Sequence, residues 1–304
     1  MKTDTALRSI VCFGEILWDN LPNGRNPGGA PMNVAYHLHK LGVESHLISS
    51  VGADAAGAEL LNFLKGIGLE VDSIQTDPVH KTSEVIATLN DNNEVSYAIL
   101  PDVAWDYIRP DPSYAEFIRN ADAFVFGSLS SRNLQSRQTL LEMLDVASYR
   151  VFDVNLREPH YTPEGIKVLL AHADMLKVNE NELELIATWT GCLRERDVDT
   201  IEQLFAAFGL KEILVTRGSR GATYYNLSLS YNYPAYPIQV KDTIGSGDSF
   251  LAAFLAKKLS EAPLEVALDY AAAMGAFITA QSGACPEYSR ADLDRFIWKR
   301  QLGL

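Results

Sequence analysis

The sequence predicts an α/β fold: a doubly wound, mostly parallel sheet flanked by helices on both faces, with a small β-lid. Three observations carry this. Short apolar runs of strand length alternate with helical periodicities along most of the 304 residues. Several of these runs stop at a glycine or a polar residue, as strands buried on both faces do at their carboxyl ends. Two segments, 17–30 and 82–108, break the alternation and flank the first glycine-rich motif.

Residues 9–16 (Ser-Ile-Val-Cys-Phe-Gly-Glu-Ile) read as the first buried strand. The stretch 17–30 that follows is rich in Asn, Pro and Gly. A helix is expected over 33–41, with Val34, Leu38 and Leu41 on one face and Gly42 as its C-terminal stop. Residues 47–52 repeat the strand pattern, and 58–64 the helical one. Residues 85–89 and 95–100 alternate around Asn90-Asp91-Asn92-Asn93, which predicts a hairpin. Further strands are expected at 123–127, 151–154, 175–178 and 212–216, with a helix at 139–147. Glycines and prolines form no long linker, and no repeat or low-complexity tract interrupts the chain, so 1–304 reads as one domain.

Composition excludes several functions. A hydrophobic fraction of 47% with 21% charged residues describes an ordinary globular chain. A net charge of −13 with no basic cluster repels nucleic acid and disfavours anionic membranes, so neither is an expected partner. An anionic ligand must therefore be held locally, by backbone amides, a few cations and a metal ion. Cys12, Cys192 and Cys285 are far apart and show no metal spacing, which suits reduced thiols. Lys2 and Arg8 precede an apolar run that Glu15 breaks, too short for a signal peptide, and the apolar stretch 271–280 is too short to span a bilayer. A cytoplasmic location is expected.

Residues 241–250 (Lys-Asp-Thr-Ile-Gly-Ser-Gly-Asp-Ser-Phe) carry the chemistry. Phe250, Leu251, Phe254, Leu255 and Leu259 recur at helical spacing, so a helix starts here. Gly245, Ser246 and Gly247 present consecutive amides at its positive end, an arrangement that receives an anion. A carboxylate beside an anion repels it, and Asp248 makes sense there as a base taking a proton from an attacking hydroxyl. The pattern points to phosphoryl transfer to an alcohol. The same residues also suit a plain turn whose Asp or Ser caps the helix. In 28–35 (Gly-Gly-Ala-Pro-Met-Asn-Val-Ala) the glycine pair lets backbone approach a small polar ligand, while Asn33 offers a donor and an acceptor, or a helix cap.

These two segments resemble the N-terminal and C-terminal signatures of the ribokinase-like (phosphofructokinase-B type) carbohydrate kinases, in the expected order and more than two hundred residues apart. The resemblance spans essentially the whole chain and implies an ATP-dependent sugar kinase. It makes Asp19, in Gly-Glu-Ile-Leu-Trp-Asp, an acceptor for sugar hydroxyls, with Gly28, Gly29 and Asn33 beside it. Asn179 and Glu182 match the family's Asn-x-x-Glu motif, with Glu182 organising Mg²⁺ through water or, alternatively, being an exposed acidic helix start. Thr216, Gly218 and Gly221 resemble the nucleotide loop, where Arg217 or Arg220 could reach a phosphate or lie on the surface. Residues 152–157 resemble a segment of fructokinases and 2-keto-3-deoxygluconate kinases, making Arg157 a sugar or phosphate contact or a surface ion pair. The family often binds K⁺, for which carbonyls around Asp242, Ile244 and Gly283 could serve. It also pairs lids into a homodimer. One departure stands out: the family's adenine-side asparagine is missing from 270–278, where Ala271, Ala272 and Ala273 stand instead.

Other phosphate chemistries are absent. There is no Gly-x-x-x-x-Gly-Lys-Ser/Thr loop, and 245–250 lacks the third glycine of a dinucleotide fingerprint. His37 and His39 lie two apart on a helix and face different ways. Gly127-Ser128-Leu129-Ser130-Ser131 lacks the glycine of a nucleophile elbow. Ala30-Pro31 stand where kinases of phosphorylated sugars carry a lysine, so an uncharged sugar is expected. D-Fructose comes first, then 2-keto-3-deoxygluconate, ribose or a nucleoside. Trp105 and Tyr107 are candidates to close over the sugar or to pack. A non-catalytic sugar-binding regulator on the same fold is the alternative class, and it would be marked by loss of the base, which Asp248 keeps.

Overall fold

The computed structural model describes residues 8–21, 24–89 and 95–301. In chain order its elements are β1 (Ser9–Phe13), β2 (Leu17–Leu21), β3 (Gly24–Gly28), α1 (Ala30–Lys40), β4 (Glu44–Gly52), α2 (Ala55–Gly66), β5 (Ile74–Asp77), β6 (Ser83–Leu89) and β7 (Val95–Ile99). Then come α3 (Pro112–Asn120), β8 (Ala123–Gly127), α4 (Leu134–Leu144), β9 (Arg150–Asp153), α5 (Pro163–Leu170), β10 (Met175–Asn179), α6 (Glu180–Thr190) and α7 (Asp197–Phe208). The chain continues through β11 (Glu212–Thr216), β12 (Ala222–Asn226), β13 (Ser230–Tyr233), α8 (Ser246–Leu259), α9 (Leu264–Thr279) and α10 (Arg290–Gln301).

Nine strands form one sheet in the order β13-β12-β11-β10-β9-β8-β1-β4-β5. Pairing is parallel from β11 through β5, and β12 and β13 add an antiparallel edge. Side chains alternate across a strand, so each strand feeds two cores. Ile10 and Cys12 of β1 pack with α1, α2, α8 and α9, whereas Val11 and Phe13 pack with the layer of α4, α5, α6 and α7. Both clusters are fully buried at their centres, which confirms the doubly wound expectation and explains the continuous apolar runs. From β1 the chain moves outward to β4 and β5, then returns to β8 on the other side of β1. Such a reversal leaves a crevice at the strands' carboxyl ends, where open α/β sheets bind ligands.

A second sheet of four strands, β3-β2-β6-β7, comes from the two irregular segments. β2 pairs antiparallel with β3 and parallel with β6, and β6 pairs antiparallel with β7. The expected hairpin forms, and its turn, Asn90-Asp91-Asn92-Asn93, lies outside the described residues, as does Lys2. This small sheet ends at Ile99, short of the expected 108. Residues 104–107 instead form a short 3₁₀ turn whose Trp105 is fully buried. The Arg132 guanidinium lies 4.1 Å from the Trp105 ring and pairs with Asp106 at 2.7 Å. Tyr107 stacks on His80 at 3.6 Å between ring centroids. Trp105 and Tyr107 therefore do packing work, and neither lines the ligand crevice.

Candidate active site

α8 opens on Gly245, which takes the left-handed conformation at φ 74°. A β-carbon there would lie 2.7 Å from both Cα and Cβ of Ala284, so glycine is required by conformation and by contact together. The Gly245 and Gly247 amides donate to no protein acceptor among the described residues, and the Ser246 amide makes only a long 3.3 Å bond to the Thr243 carbonyl. The expected anion nest is thus open at the positive end of a fourteen-residue helix.

Asp248 follows in the first turn and is almost fully buried. Asn33 Nδ2 donates to its Oδ2 at 2.8 Å across 215 residues of sequence. The other end of that amide, Oδ1, accepts from Cys285 Sγ at 3.3 Å. Asn33 is no helix cap: the residue before α1 is Gly29, and Asn33 lies inside the first turn. Burial raises the Asp248 pKa and Asp153 adds to the rise, while Lys177, Asn33 and Arg157 oppose it. A carboxylate held above its ordinary range at a helix start is set up to accept a proton.

Beneath the nest lies an ion pair that sequence motifs did not single out. Lys177 Nζ donates to both oxygens of Asp153, at 2.8 and 3.0 Å, and both side chains are more than nine-tenths buried. The two residues are register partners on β9 and β10. Lys177 Nζ is also 3.1 Å from the point where a β-carbon on Gly247 would fall, so the ammonium abuts the nest directly. Burial pulls its pKa down, but Asp153 and Asp248 outweigh burial and leave it raised.

Two more carboxyls come from Glu15, just after β1, and from Asp19 on β2. Asp19 Oδ2 occupies the space a β-carbon on Gly28 would need, and the Glu15 carbonyl occupies that of Gly29. The glycine pair serves close approach to Asp19 and Glu15, where the sequence pointed to approach by a ligand. Burial lifts Asp19 to about 6, with Arg157 opposing and Asp248 adding. Glu15 is lifted to about 7, again by burial first. Its Oε1 accepts from the Ala30 amide at 3.3 Å and its Oε2 has no partner. Arg157 enters after β9 and donates only to the Leu156 carbonyl, with no carboxylate partner among the described residues.

These groups share one cleft of about 550 Å³, lined by Glu15, Asp19, Asn33, Arg157, Lys177 and Asp248 among others. Val85 and Ile99 of the small sheet close one side, which makes that sheet a lid over the site. A second cleft of about 640 Å³ adjoins it and shares Asn179, Thr216, Thr243 and Gly247. Gly218 and Gly221 line the second cleft. Arg217 and Arg220 do not: both pair with Glu180, and Arg217 also with Asp197 at 2.8 Å.

Asn179 and Glu182 form a reciprocal capping box on α6. Glu182 is not an exposed helix start. It is buried, with one oxygen accepting from the Leu156 amide at 2.9 Å and the other from the Asn179 amide at 2.8 Å, and it lines the first cleft. Asp242 accepts from the Ile244 and Gly283 amides at 3.0 and 2.9 Å, which gathers those three residues beside the nest. His37 and His39 diverge as expected, to the Ala284 and Ile67 carbonyls, both at 2.9 Å.

Sequence reasoning missed Lys177, Asp153, Glu15 and Cys285. Asp153 sits inside the 152–157 segment and Lys177 inside the expected strand 175–178, and their pairing becomes visible only once β9 and β10 are neighbours. Glu15 and Cys285 carried no local signal, since burial alone gives them their character.

An open anion nest and a buried carboxylate at the meeting point of two clefts is the layout of a phosphotransferase with two substrates. The chain belongs to the pfkB family of carbohydrate kinases, whose profile matches residues 12–290, and is an ATP-dependent sugar kinase. Among curated relatives, it is 31% identical to probable fructokinase-4 of Arabidopsis thaliana over 91% of this chain and 92% of the relative. It is 30% identical to fructokinase-2 of Solanum habrochaites over 91% and 92%. Among solved structures, the fructokinase from Xylella fastidiosa with bound ATP superposes with a TM-score of 0.84 at 23% identity, covering 96% of this chain and 99% of that one. Aminoimidazole riboside kinase from Salmonella enterica, complexed with aminoimidazole riboside and an ATP analogue, gives 0.80 at 25%, covering 95% and 100%.

Proposed function

We propose that this kinase transfers the γ-phosphate of ATP to a small unphosphorylated sugar, D-fructose in the first place, giving fructose 6-phosphate. The observation that carries the reading is Asp248, buried at the open end of α8, held by Asn33 and facing the cleft that Asp19 and Glu15 also line. Fructokinases among the relatives at about 30% identity support the choice of sugar.

In this mechanism the sugar lies against Asp19, Gly28 and Gly29. The Asp248 oxygen that Asn33 leaves free takes the proton of the attacking hydroxyl, whose oxygen forms the new bond to the γ-phosphorus as the bond to the bridging oxygen breaks and ADP leaves. The amides of Gly245, Ser246 and Gly247 and the Lys177 ammonium meet the charge that develops on the phosphoryl oxygens. Asn179, Thr216, Gly218 and Gly221 hold the nucleotide. Closure of the small sheet excludes water and suppresses wasteful hydrolysis.

Among the described residues no three acidic, histidine or cysteine groups converge into a metal cage. Mg²⁺ keeps several waters and takes phosphate oxygens: the Glu182 carboxylate lining the cleft would hold it through water, and bound there it would neutralise phosphate charge. K⁺ would sit on the carbonyls that Asp242 gathers with Ile244 and Gly283. The small sheet has open edges at β3 and β7, which supports pairing of two lids in a homodimer. No helix among the described residues is long and apolar enough to cross a membrane. The three cysteines are unpaired, consistent with a reducing, cytoplasmic setting.

A second reading has its own observation. Arg157 is a cation facing the cleft without a carboxylate partner, which suits a sugar acid such as 2-keto-3-deoxygluconate. An ADP-release assay with ATP, Mg²⁺ and a sugar panel, with and without K⁺, separates these. Turnover on fructose above all others supports the first reading, and preference for the sugar acid supports the second. Silence on every sugar by folded protein would overturn the kinase mechanism and leave the sugar-binding regulator.

A further inference from the structure

The second cleft has two unlike parts. Where it meets the sugar cleft it carries amides and polar side chains. Apart from the residues it shares with the sugar cleft, its lining includes the apolar side chains of Ala235, Ile238, Val240, Phe250, Ala272 and Ala276. Tyr236 and Thr279 also border it, but both hydroxyls are engaged inside the protein. Tyr236 bonds to Asp269, and Thr279 donates to the Gly275 carbonyl at 2.7 Å. The two nearest guanidinium groups, Arg217 and Arg220, are tied to Glu180 and do not border the cleft. The remaining free side-chain hydroxyls are those of Ser219 and Thr243, and a hydroxyl both donates and accepts.

A site that pairs a specific donor or acceptor rejects ligands lacking its complement, because a buried polar group is left unpaired. Apolar side chains have no such lever. Every nucleobase offers a π-face to stack on aliphatic and aromatic walls, so the contact is tolerant of base identity. A hydroxyl that rotates cannot tell an amino group from a carbonyl.

We infer that the phosphoryl-donor site is tolerant of the nucleobase, accepting GTP, CTP and UTP as well as ATP. The inference rests on the sugar-kinase reading for which cleft holds the nucleotide. Selectivity then lies at the sugar, while the donor is chosen by its triphosphate and ribose.

The test measures kcat/KM for ATP, GTP, CTP and UTP with saturating sugar and Mg²⁺, alongside calorimetric affinities for ADP, GDP, CDP and UDP. The expected result is a spread within about thirtyfold, below the roughly hundredfold ceiling that an apolar pocket imposes. A wider preference for ATP, with ADP binding correspondingly tighter than the other diphosphates, would overturn the inference and mean that backbone groups of 234–240 read adenine. If no triphosphate supports turnover but all four diphosphates bind alike, the kinase mechanism fails while the tolerant pocket stands. Ala272→Asn places a carboxamide on this wall and should raise the ATP-to-GTP ratio at least about fivefold. The ratio is internal to the variant, so partial misfolding does not affect it. An unchanged ratio would mean that this wall does not face the base.

Discussion

The two clefts of the molecule are built on opposite principles. Around the sugar cleft, Glu15, Asp19, Asp153, Lys177 and Asp248 are buried or half-buried charges that restrain one another, and Asn33 is hydrogen-bonded at both ends. The cleft proposed for the nucleotide is lined largely by alanine, isoleucine, valine and phenylalanine away from the residues the two clefts share. A charged, hydrogen-bonded wall discriminates because each wrong ligand leaves a polar group unpaired, whereas an apolar wall supplies affinity with little discrimination.

Removing the charge of the base should break the contrast most severely. Asp248→Asn is expected to lower kcat by about 10²–10⁴-fold with ADP affinity unchanged. Steady-state kinetics beside calorimetry check this, and a variant that still turns over would remove Asp248 from the mechanism.

Next comes the ion pair beneath the nest. Lys177→Met leaves Asp153 buried and alone, at a cost of about 3–5 kcal/mol in a urea titration. Adding Asp153→Asn should recover part of that loss, and no recovery would show that the two charges are not coupled.

Glu15 sharpens the comparison through pH. Its carboxyl is raised from an ordinary 4.5 to about 7 in the folded chain. The folded state therefore binds that proton more tightly than the unfolded state, so the group's contribution is full below about pH 4.5 and is lost as pH climbs to 7. Glu15→Gln, neutral at every pH, should gain stability relative to the parent between pH 5 and pH 8, on the order of 3 kcal/mol. Parallel melting curves for the two proteins would disprove the buried, protonated carboxyl.

Smallest is the bond from Asn33. Asn33→Ala removes a hydrogen bond to a charged group, a loss of about 1.5–3 kcal/mol. Since that bond favours the ionised form of Asp248, the acid limb of kcat/KM should move to higher pH as well as fall. A fall without the shift would make Asn33 a sugar contact only.

Much of this was legible in the sequence. The strands at 123–127 and 212–216 match their observed bounds, since an apolar run between polar residues leaves little choice. Helices were harder at their starts. α1 begins at Ala30 and α4 at Leu134, before the periodicity shows, because their first turns, Ala-Pro-Met-Asn and Leu-Gln-Ser-Arg, make no clear apolar stripe. Asp248 and its nest were readable because they lie within ten residues of one another. The Lys177–Asp153 pair was not, because it depends on which strands are neighbours. For Trp105 the sequence left lid and packing roles both open, because an aromatic in an irregular segment carries no sign of the Arg132–Asp106 pair that packs with it.

The bond between Asn33 and Asp248 closes a loop of 215 residues. During synthesis, the strand and glycine pair that face the sugar leave the ribosome early, while the carboxylate waits until α8 has emerged and docked on α1. In the proposed mechanism an incomplete chain thus has a place for the acceptor but no means of drawing its proton, and activity arrives as one late event. A chain split between the two residues keeps this contact only if both fragments still meet at that one amide.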